Sequence, residues 1–313
     1  MEKILITPRS FGNTYPAAFD ELSAAGYGLI KNQTGQLFSK EMMIEHIACA
    51  SGIIVGIDPL DRDVICAAPL LRAISKYGVG LDNIDVAFAK ANGISVSTTQ
   101  GANAMSVADY TLALILACAR KIPYIDRQCH DKDWRKVISL DVYGKTIGIV
   151  GLGAIGKGVA KRAAGFDMKL LAYDPAWNGS YAESNGIQFA SYSHILEEAD
   201  FITLHLPLTD ETRYMVNAES FALMKRSAIL INTSRGELVN EADLIEALKT
   251  GEIYAAGIDT FEKEPPDNDE LYKLDNLVMG SHCAASSVEA SKQMTIMATR
   301  NIINSLKSDA SPA

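Results

Sequence analysis

Short apolar runs alternate along this chain with longer stretches in which apolar residues recur every three or four positions. The runs predict strands and the periodic stretches predict helices. Over the first hundred residues the expected strands are 4–6, 29–30, 53–55, 73–75 and 94–97. The expected helices between them are 15–25, 40–50, 61–67 and 86–91. Alternation with short connections predicts a parallel sheet covered by helices. Residues 105–120, MSVADYTLALILACAR, are almost continuously apolar over their second half and predict a buried helix. Placed between two α/β units, that helix suits both a core position and their boundary. Residues 121–143 are more polar, contain Trp134 and Arg135, and read as an irregular connection.

The alternation resumes with strand 146–150, helix 155–164 and strand 170–173. Further strands are expected at 201–206, 228–232, 255–258 and 277–279, with helices at 240–249 and 286–307. Asn240 is expected to cap the first of these helices, with Asp243 three residues later. No internal repeat is visible, and the only biased segment is a small polar tail, 308–313.

One stretch of this pattern carries chemistry. Residues 146–174, TIGIVGLGAIGKGVAKRAAGFDMKLLAYD, run from an apolar strand through a G-x-G-x-x-G turn into a helix, then into a second strand ending on an acid. A dinucleotide-binding βαβ unit requires this order. Gly151 allows the tight turn, Gly153 lets backbone approach a pyrophosphate, and Gly156 lets helix and strand pack closely. The positive end of the helix meets the phosphate charge. Asp174 stands where a carboxylate accepts hydrogen bonds from a ribose diol and repels a 2′-phosphate. Residues 175–178, Pro-Ala-Trp-Asn, offer no arginine to reverse that preference, so NAD is expected over NADP.

Composition narrows the reading. At 313 residues and 48% hydrophobic, the chain can hold two domains with large cores. A formal net charge of −9 disfavours nucleic acid and anionic membrane as partners. The five cysteines are scattered without C-x-x-C spacing, which fits reduced thiols in a cytoplasmic protein, and no metal site is expected. No signal-peptide pattern opens the chain, and the longest apolar run, 112–119, is too short to cross a bilayer.

In open α/β sheets ligands bind beyond the carboxyl ends of the strands. Those ends carry His205, Arg235, Asp259 and His282, with Glu264 a few residues beyond Asp259. An arginine can hold a carboxylate with a two-pronged hydrogen bond. A histidine can exchange the proton of an alcohol or carbonyl, and an acid can orient the imidazole and favour its charged form. Taken singly, Arg235, Glu264 and His282 would each read as an ordinary surface or structural residue.

Seven segments together resemble the D-isomer-specific 2-hydroxyacid dehydrogenase family, most closely its phosphoglycerate dehydrogenase branch. They are KYGVGLDNID from Lys76, SVADYTLALIL from Ser106, GLGAIG from Gly151, HLPLTDETR from His205, NTSRGELVNEADL from Asn232, GIDTFEKEPP from Gly257 and SHCAAS from Ser281. The resemblance implies two Rossmann-like or flavodoxin-like parallel-sheet domains, an α/β fold with an interdomain active-site cleft. Residues 1–100 plus 286–313 would form a discontinuous substrate domain, and 101–285 the NAD-binding domain. It further implies His282 as acid/base, Glu264 as its support and Arg235 as the carboxylate clamp. On the substrate side it implies the backbone of Gly78, Val79 and Gly80, with Tyr77 beside them and Lys76 adding positive charge.

For the cofactor the resemblance implies Gly151, Gly153, Ala154, Ile155, Gly156 and Asp174 at the phosphates and ribose. Leu206, Pro207 and Thr212 follow one strand, Thr233 and Ser234 the next, and Asp259 and Ala284 stand near the nicotinamide. His205 is left out of the chemistry, because the family uses that strand end as backbone against the cofactor. A homodimer through the nucleotide domain is implied as well.

The chain departs from the family at Ser281, where proline is common, at Cys283–Ala284–Ala285, where glycine is common, and at Lys76, where this branch often has arginine. By that resemblance the chain is also expected to lack the extra domain with which longer relatives sense serine. The leading expectation is oxidation of 3-phosphoglycerate with NAD in serine biosynthesis. The alternatives are a hydroxypyruvate or glyoxylate reductase and, in another class, an NAD(H)-sensing dimeric corepressor.

Overall fold

The computed structural model describes residues 1–308. Residues 309–313, most of the expected polar tail and the end of the expected substrate domain, lie outside the described residues. In chain order the first elements are β1 (Lys3–Ile6), α1 (Ala17–Ala24), β2 (Gly28–Lys31), α2 (Lys40–Ile47), β3 (Gly52–Val55), α3 (Arg62–Cys66), β4 (Ala73–Lys76), α4 (Val86–Ala91) and β5 (Ser95–Thr98). Next come α5 (Ala104–Ala119), α6 (Ile122–His130), β6 (Thr146–Val150), α7 (Ala154–Ala163), β7 (Lys169–Tyr173), α8 (Gly179–Ser184), β8 (Ile187–Phe189), α9 (Tyr192–Glu198) and β9 (Phe201–Leu204). The chain closes with α10 (Ala218–Leu223), β10 (Ile229–Asn232), α11 (Glu241–Thr250), β11 (Ala255–Ile258), β12 (Leu277–Met279) and α12 (Val288–Ser308).

The chain divides into two compact units, Met1–Asn103 with the segment from Ser286, and Ala104–Ala285. The first holds a five-stranded sheet in the order β2-β1-β3-β4-β5, every pair parallel. Side chains alternate across a strand, so neighbours in β1 serve opposite faces. Ile4 and Ile6 pack with Leu22, Ile54 and Ile302, while Leu5 packs with Met43, Ile47, Ile53 and Ile74. Each such side chain contributes about 1.5–3 kcal/mol when fully buried. Asp85 caps α4 by accepting the Phe88 N–H at 2.9 Å.

The second unit holds seven parallel strands in the order β12-β11-β10-β9-β6-β7-β8. The chain runs outward from β6 through β7 and β8, then returns to β9 on the other side of β6. That reversal opens a crevice at the carboxyl ends of β6 and β9, where such sheets bind ligands. Helix α5 buries Ala108, Leu112, Ile115 and Ala119, a stripe at helical spacing that packs with Ile147, Ile149, Ile229 and Ile231. Asn240 caps α11 by accepting the Asp243 N–H at 3.1 Å, worth about 1 kcal/mol.

The expected irregular connection after α5 instead contains a helix. α6 buries no residue, so it leaves no apolar period to read. Helices α8, α9 and α10 and strand β8 are further elements that the apolar pattern did not announce; elsewhere element ends shift by a few residues. Among the described residues no helix is long and apolar enough to cross a membrane.

Candidate active site

The glycine loop after β6 is shaped by close contacts. Gly151 has φ +103°, and a Cβ there would stand 2.6 Å from the His205 carbonyl carbon. A Cβ at Gly156 would stand 2.0 Å from the Gly151 carbonyl oxygen, so helix and loop meet only because it is glycine. Gly153 differs. It is the N-cap of α7, no side chain caps the helix, and a Cβ there would meet nothing within 4 Å. The first-turn amides of Ala154, Ile155 and Gly156 therefore stand at a positive helix end beside open space. A dinucleotide pyrophosphate fits that donor set.

Asp174 ends the neighbouring strand. One carboxylate oxygen accepts the Leu152 N–H at 2.6 Å and the other the Ala176 N–H at 2.7 Å. Each oxygen has a further lone pair for a ribose hydroxyl. The acid thereby fixes the glycine loop.

The loops after β9 and β10 are stitched together. The Thr212 hydroxyl donates to the Pro207 carbonyl at 2.8 Å and accepts the Thr209 N–H at 2.8 Å. The Ser234 hydroxyl donates to the Leu206 carbonyl at 2.7 Å, and Thr233 is buried with its hydroxyl 3.1 Å from that of Thr111. His205 lies below them, its Nε2 2.9 Å from the Thr203 hydroxyl. Burial pulls its pKa down to about 3, so it stays neutral at working pH and is no candidate to carry a proton.

His282 is different in every respect. It follows β12 in the left-handed region, φ +55°, and its side chain is 44% exposed. Its Nδ1 lies 2.8 Å from Glu264 Oε2 and 3.1 Å from Oε1. The Phe261 N–H donates to Oε1 at 3.1 Å. Burial raises the Glu264 pKa, but the hydrogen bond and charge of His282, the Phe261 amide and the charge of Arg235 together outweigh it and hold the carboxyl below its ordinary range.

Arg235 arrives from β10. Its guanidinium donates to the Ser234 carbonyl at 2.7 Å, and the Asn232 side chain holds the Arg235 carbonyl at 2.7 Å. A Cβ at Gly236 would stand 2.0 Å from the Phe261 carbonyl carbon, so the loops bearing Arg235 and Glu264 lie against each other. The second unit thus brings Arg235, Glu264 and His282 into one site.

Asp259, at the end of β11, is fully buried. Its carboxylate accepts the N–H of Cys283 at 3.1 Å and of Ala284 at 2.9 Å, and its carbonyl accepts the His282 N–H at 2.8 Å. Tyr110, from α5, was missed in the sequence. Its hydroxyl receives the Cys283 thiol at 3.3 Å, and burial, that hydrogen bond and the Asp259 charge push its pKa well above the usual phenol range. Its signal in the sequence is weak, a phenol in a mostly apolar helix that also holds Ser106, Asp109 and Thr111.

In the first unit Lys76 ends β4 and is only 5% exposed. Its ammonium donates to the Gly56 carbonyl and to Asn83 Oδ1, both at 2.6 Å. The Tyr77 hydroxyl lies 3.1 Å from the Ser291 hydroxyl. Gly78 has φ +140°, and its amide donates to the Thr99 hydroxyl at 2.9 Å. Among the described residues no protein hydrogen bond uses the amides of Val79 or Gly80.

An open helix terminus, an acid at the end of the next strand and a histidine–glutamate pair beside an arginine suit a nicotinamide-dependent dehydrogenase of hydroxy acids. Comparison with known proteins agrees. The model of the D-isomer specific 2-hydroxyacid dehydrogenase, NAD binding domain, matches residues 112–284. A glyoxylate reductase of Korarchaeum cryptofilum is 42% identical over 273 residues, 85% of this chain and 82% of its own. A D-3-phosphoglycerate dehydrogenase of Methanocaldococcus jannaschii is 42% identical over 269 residues, 85% of this chain but 51% of its own, so this chain spans about half of it. The crystal structure of the TT0316 protein from Thermus thermophilus matches with TM-score 0.88 and 34% identity over 98% of this chain and 97% of that one.

The chain belongs to the D-isomer specific 2-hydroxyacid dehydrogenase family. It is an NAD-dependent oxidoreductase acting on the CH–OH group of its substrate.

Proposed function

We propose that this protein reduces a small unphosphorylated 2-oxo acid, glyoxylate or hydroxypyruvate, with NADH. The observation that carries the choice is Lys76. It is the cation expected on the substrate side, where a phosphorylated acid would need one, and its ammonium is buried and engaged by the Gly56 carbonyl and Asn83. Its place in the fold is to shape the turn before residues 78–80. The likeness to a glyoxylate reductase supports the reading. Oxidation of 3-phosphoglycerate in serine biosynthesis is the second reading, supported by the equal likeness to a phosphoglycerate dehydrogenase.

Each residue of the site has its own task. Nδ1 of His282 donates to the Glu264 carboxylate, so Nε2 is the nitrogen that exchanges a proton. In reduction it gives that proton to the oxygen of the reacting carbonyl, and in oxidation it takes it back. Glu264 orients the ring and favours its charged form. Arg235 holds the substrate carboxylate by a two-pronged bond and polarises the carbonyl. The resemblance also gives the substrate the backbone amides of Val79 and Gly80, beside Tyr77 and Gly78. Bound NAD supplies or accepts the hydride. The α7 terminus and Asp174 hold its phosphates and ribose, and Leu206, Pro207, Thr212, Thr233, Ser234 and Ala284 hold its remaining half.

His282→Asn tests this assignment. Asparagine tolerates a left-handed φ, so the loop is kept while the proton donor is lost. Turnover of glyoxylate should fall by roughly a thousandfold while NADH affinity stays within about threefold. Turnover within about tenfold of wild type would remove His282 from the proton transfer.

The same reading includes a cytoplasmic homodimer formed through the second unit. Five free thiols suit a reducing compartment. Ile122, Trp134, Ile138 and Tyr143 are 52%, 81%, 92% and 70% exposed along α6 and the segment after it, a concentration of apolar surface suited to a second copy.

A further inference from the structure

His282 occupies a backbone conformation that costs a non-glycine residue about 1–2 kcal/mol. Something must hold it there, and the hydrogen bonds around it identify what. Gly280 N–H donates to the Ile258 carbonyl at 2.8 Å and continues the β11–β12 ladder. Beyond it the ladder ends, and Asp259 takes over. Its carbonyl receives the His282 N–H at 2.8 Å, and its two carboxylate oxygens receive the amides of Cys283 at 3.1 Å and Ala284 at 2.9 Å. Three consecutive amides of the histidine loop thus converge on one fully buried residue.

The Cys283 side chain joins the same cluster. Its thiol lies 3.3 Å from the Tyr110 hydroxyl and 3.6 Å from Asp259 Oδ1. The fit leaves no slack at Gly280. A Cβ there would stand 2.1 Å from Asp259 Oδ1 and 2.6 Å from the Tyr110 hydroxyl. Helix α5, through Tyr110, therefore backs the clamp.

We propose that Asp259 is a positioning residue whose carboxylate clamps the loop of residues 280–284 and so sets His282 against Glu264. On the resemblance alone this acid belongs to the nicotinamide carboxamide. Here both of its oxygens accept backbone amides of the histidine loop, so its effect reaches the substrate through the histidine. The proposal deepens the assignment of His282 given above and rests on it for its kinetic part. Its structural part stands without it.

Asp259→Asn and Gly280→Ala perturb the clamp from its two sides. The asparagine places an NH2 group against one backbone N–H, and the alanine drives a methyl into the carboxylate. Each should lower kcat by roughly a hundredfold with NADH affinity within about threefold, because an ångström of misplacement costs that much. The non-kinetic readout is amide exchange in the protein without cofactor. The Cys283 and Ala284 amides should exchange slowly in wild type and faster by about tenfold or more in Asp259→Asn and Gly280→Ala.

A roughly tenfold or greater loss of NADH affinity in Asp259→Asn, with kcat retained at saturating NADH, would overturn the clamp and return the acid to the cofactor. Rapid exchange of both amides in wild type would overturn it as well, and this needs no variant to fold. If wild type turns over no 2-oxo acid, the assigned activity fails, while exchange and NADH affinity still decide the clamp.

Discussion

At the scale of the residue, the site depends on which of two histidines can carry a proton. Burial keeps His205 neutral, whereas His282 is half exposed and faces an ionised Glu264. The direction of the Glu264 shift gives a testable pH dependence. A carboxyl whose folded pKa lies below its unfolded value contributes above the unfolded pKa and loses that contribution as pH falls through the folded one. For Glu264, burial pushes up, but His282, Phe261 and Arg235 push down further. The acid limb of reduction therefore lies below the ordinary glutamate value of about 4.3, and initial rates should hold from neutrality down to about pH 5. A limb centred near about pH 6, in the ordinary histidine range, would mean that another group limits the reaction. Arg235, Glu264 and His282 were legible because each stands in a distinctive string just after a strand. The positive φ of His282 and the buried partners of Lys76 were not, because both depend on contacts between segments distant in sequence.

At the scale of the element, apolar runs revealed nearly every strand, because parallel strands are buried on both faces and leave continuous signals. β3, β4, β9, β10 and β11 are buried at every position. β8 reads Ile-Gln-Phe, with no apolar run to announce it. The short helices α8, α9 and α10 each bury only one or two residues, too few to form a period. Helix α6 buries none, and with the segment after it carries the exposed Ile122, Trp134, Ile138 and Tyr143. The proposed dimer gives that arrangement its purpose. Sedimentation at micromolar concentration should show a dimer for wild type and a monomer for Trp134→Glu combined with Ile138→Glu, with NADH binding retained. A wild-type monomer, or a variant dimer unchanged in strength, would place the interface elsewhere or abolish it.

At the scale of the molecule, two parallel sheets divide the chain, and the second reverses its winding between β6 and β9. The glycine loop, Asp174 and the loops carrying Arg235, Asp259 and Glu264 all follow carboxyl ends of that sheet's strands, as open α/β architecture requires. Cofactor class was therefore readable from one βαβ unit, and reaction class from the strand ends together with the resemblance. Substrate choice was not, because it turns on whether a buried lysine offers its charge to a ligand or to its own domain.

The central claim is reduction of an unphosphorylated 2-oxo acid, and the most direct measurement is NADH oxidation by the purified protein at saturating NADH. Glyoxylate, hydroxypyruvate and 3-phosphohydroxypyruvate should be compared side by side. The engaged ammonium of Lys76 predicts that kcat/KM for glyoxylate or hydroxypyruvate exceeds that for the phosphorylated acid by about tenfold or more, a difference of roughly 1.4 kcal/mol in transition-state binding. A roughly tenfold preference for 3-phosphohydroxypyruvate would contradict it and make 3-phosphoglycerate the substrate.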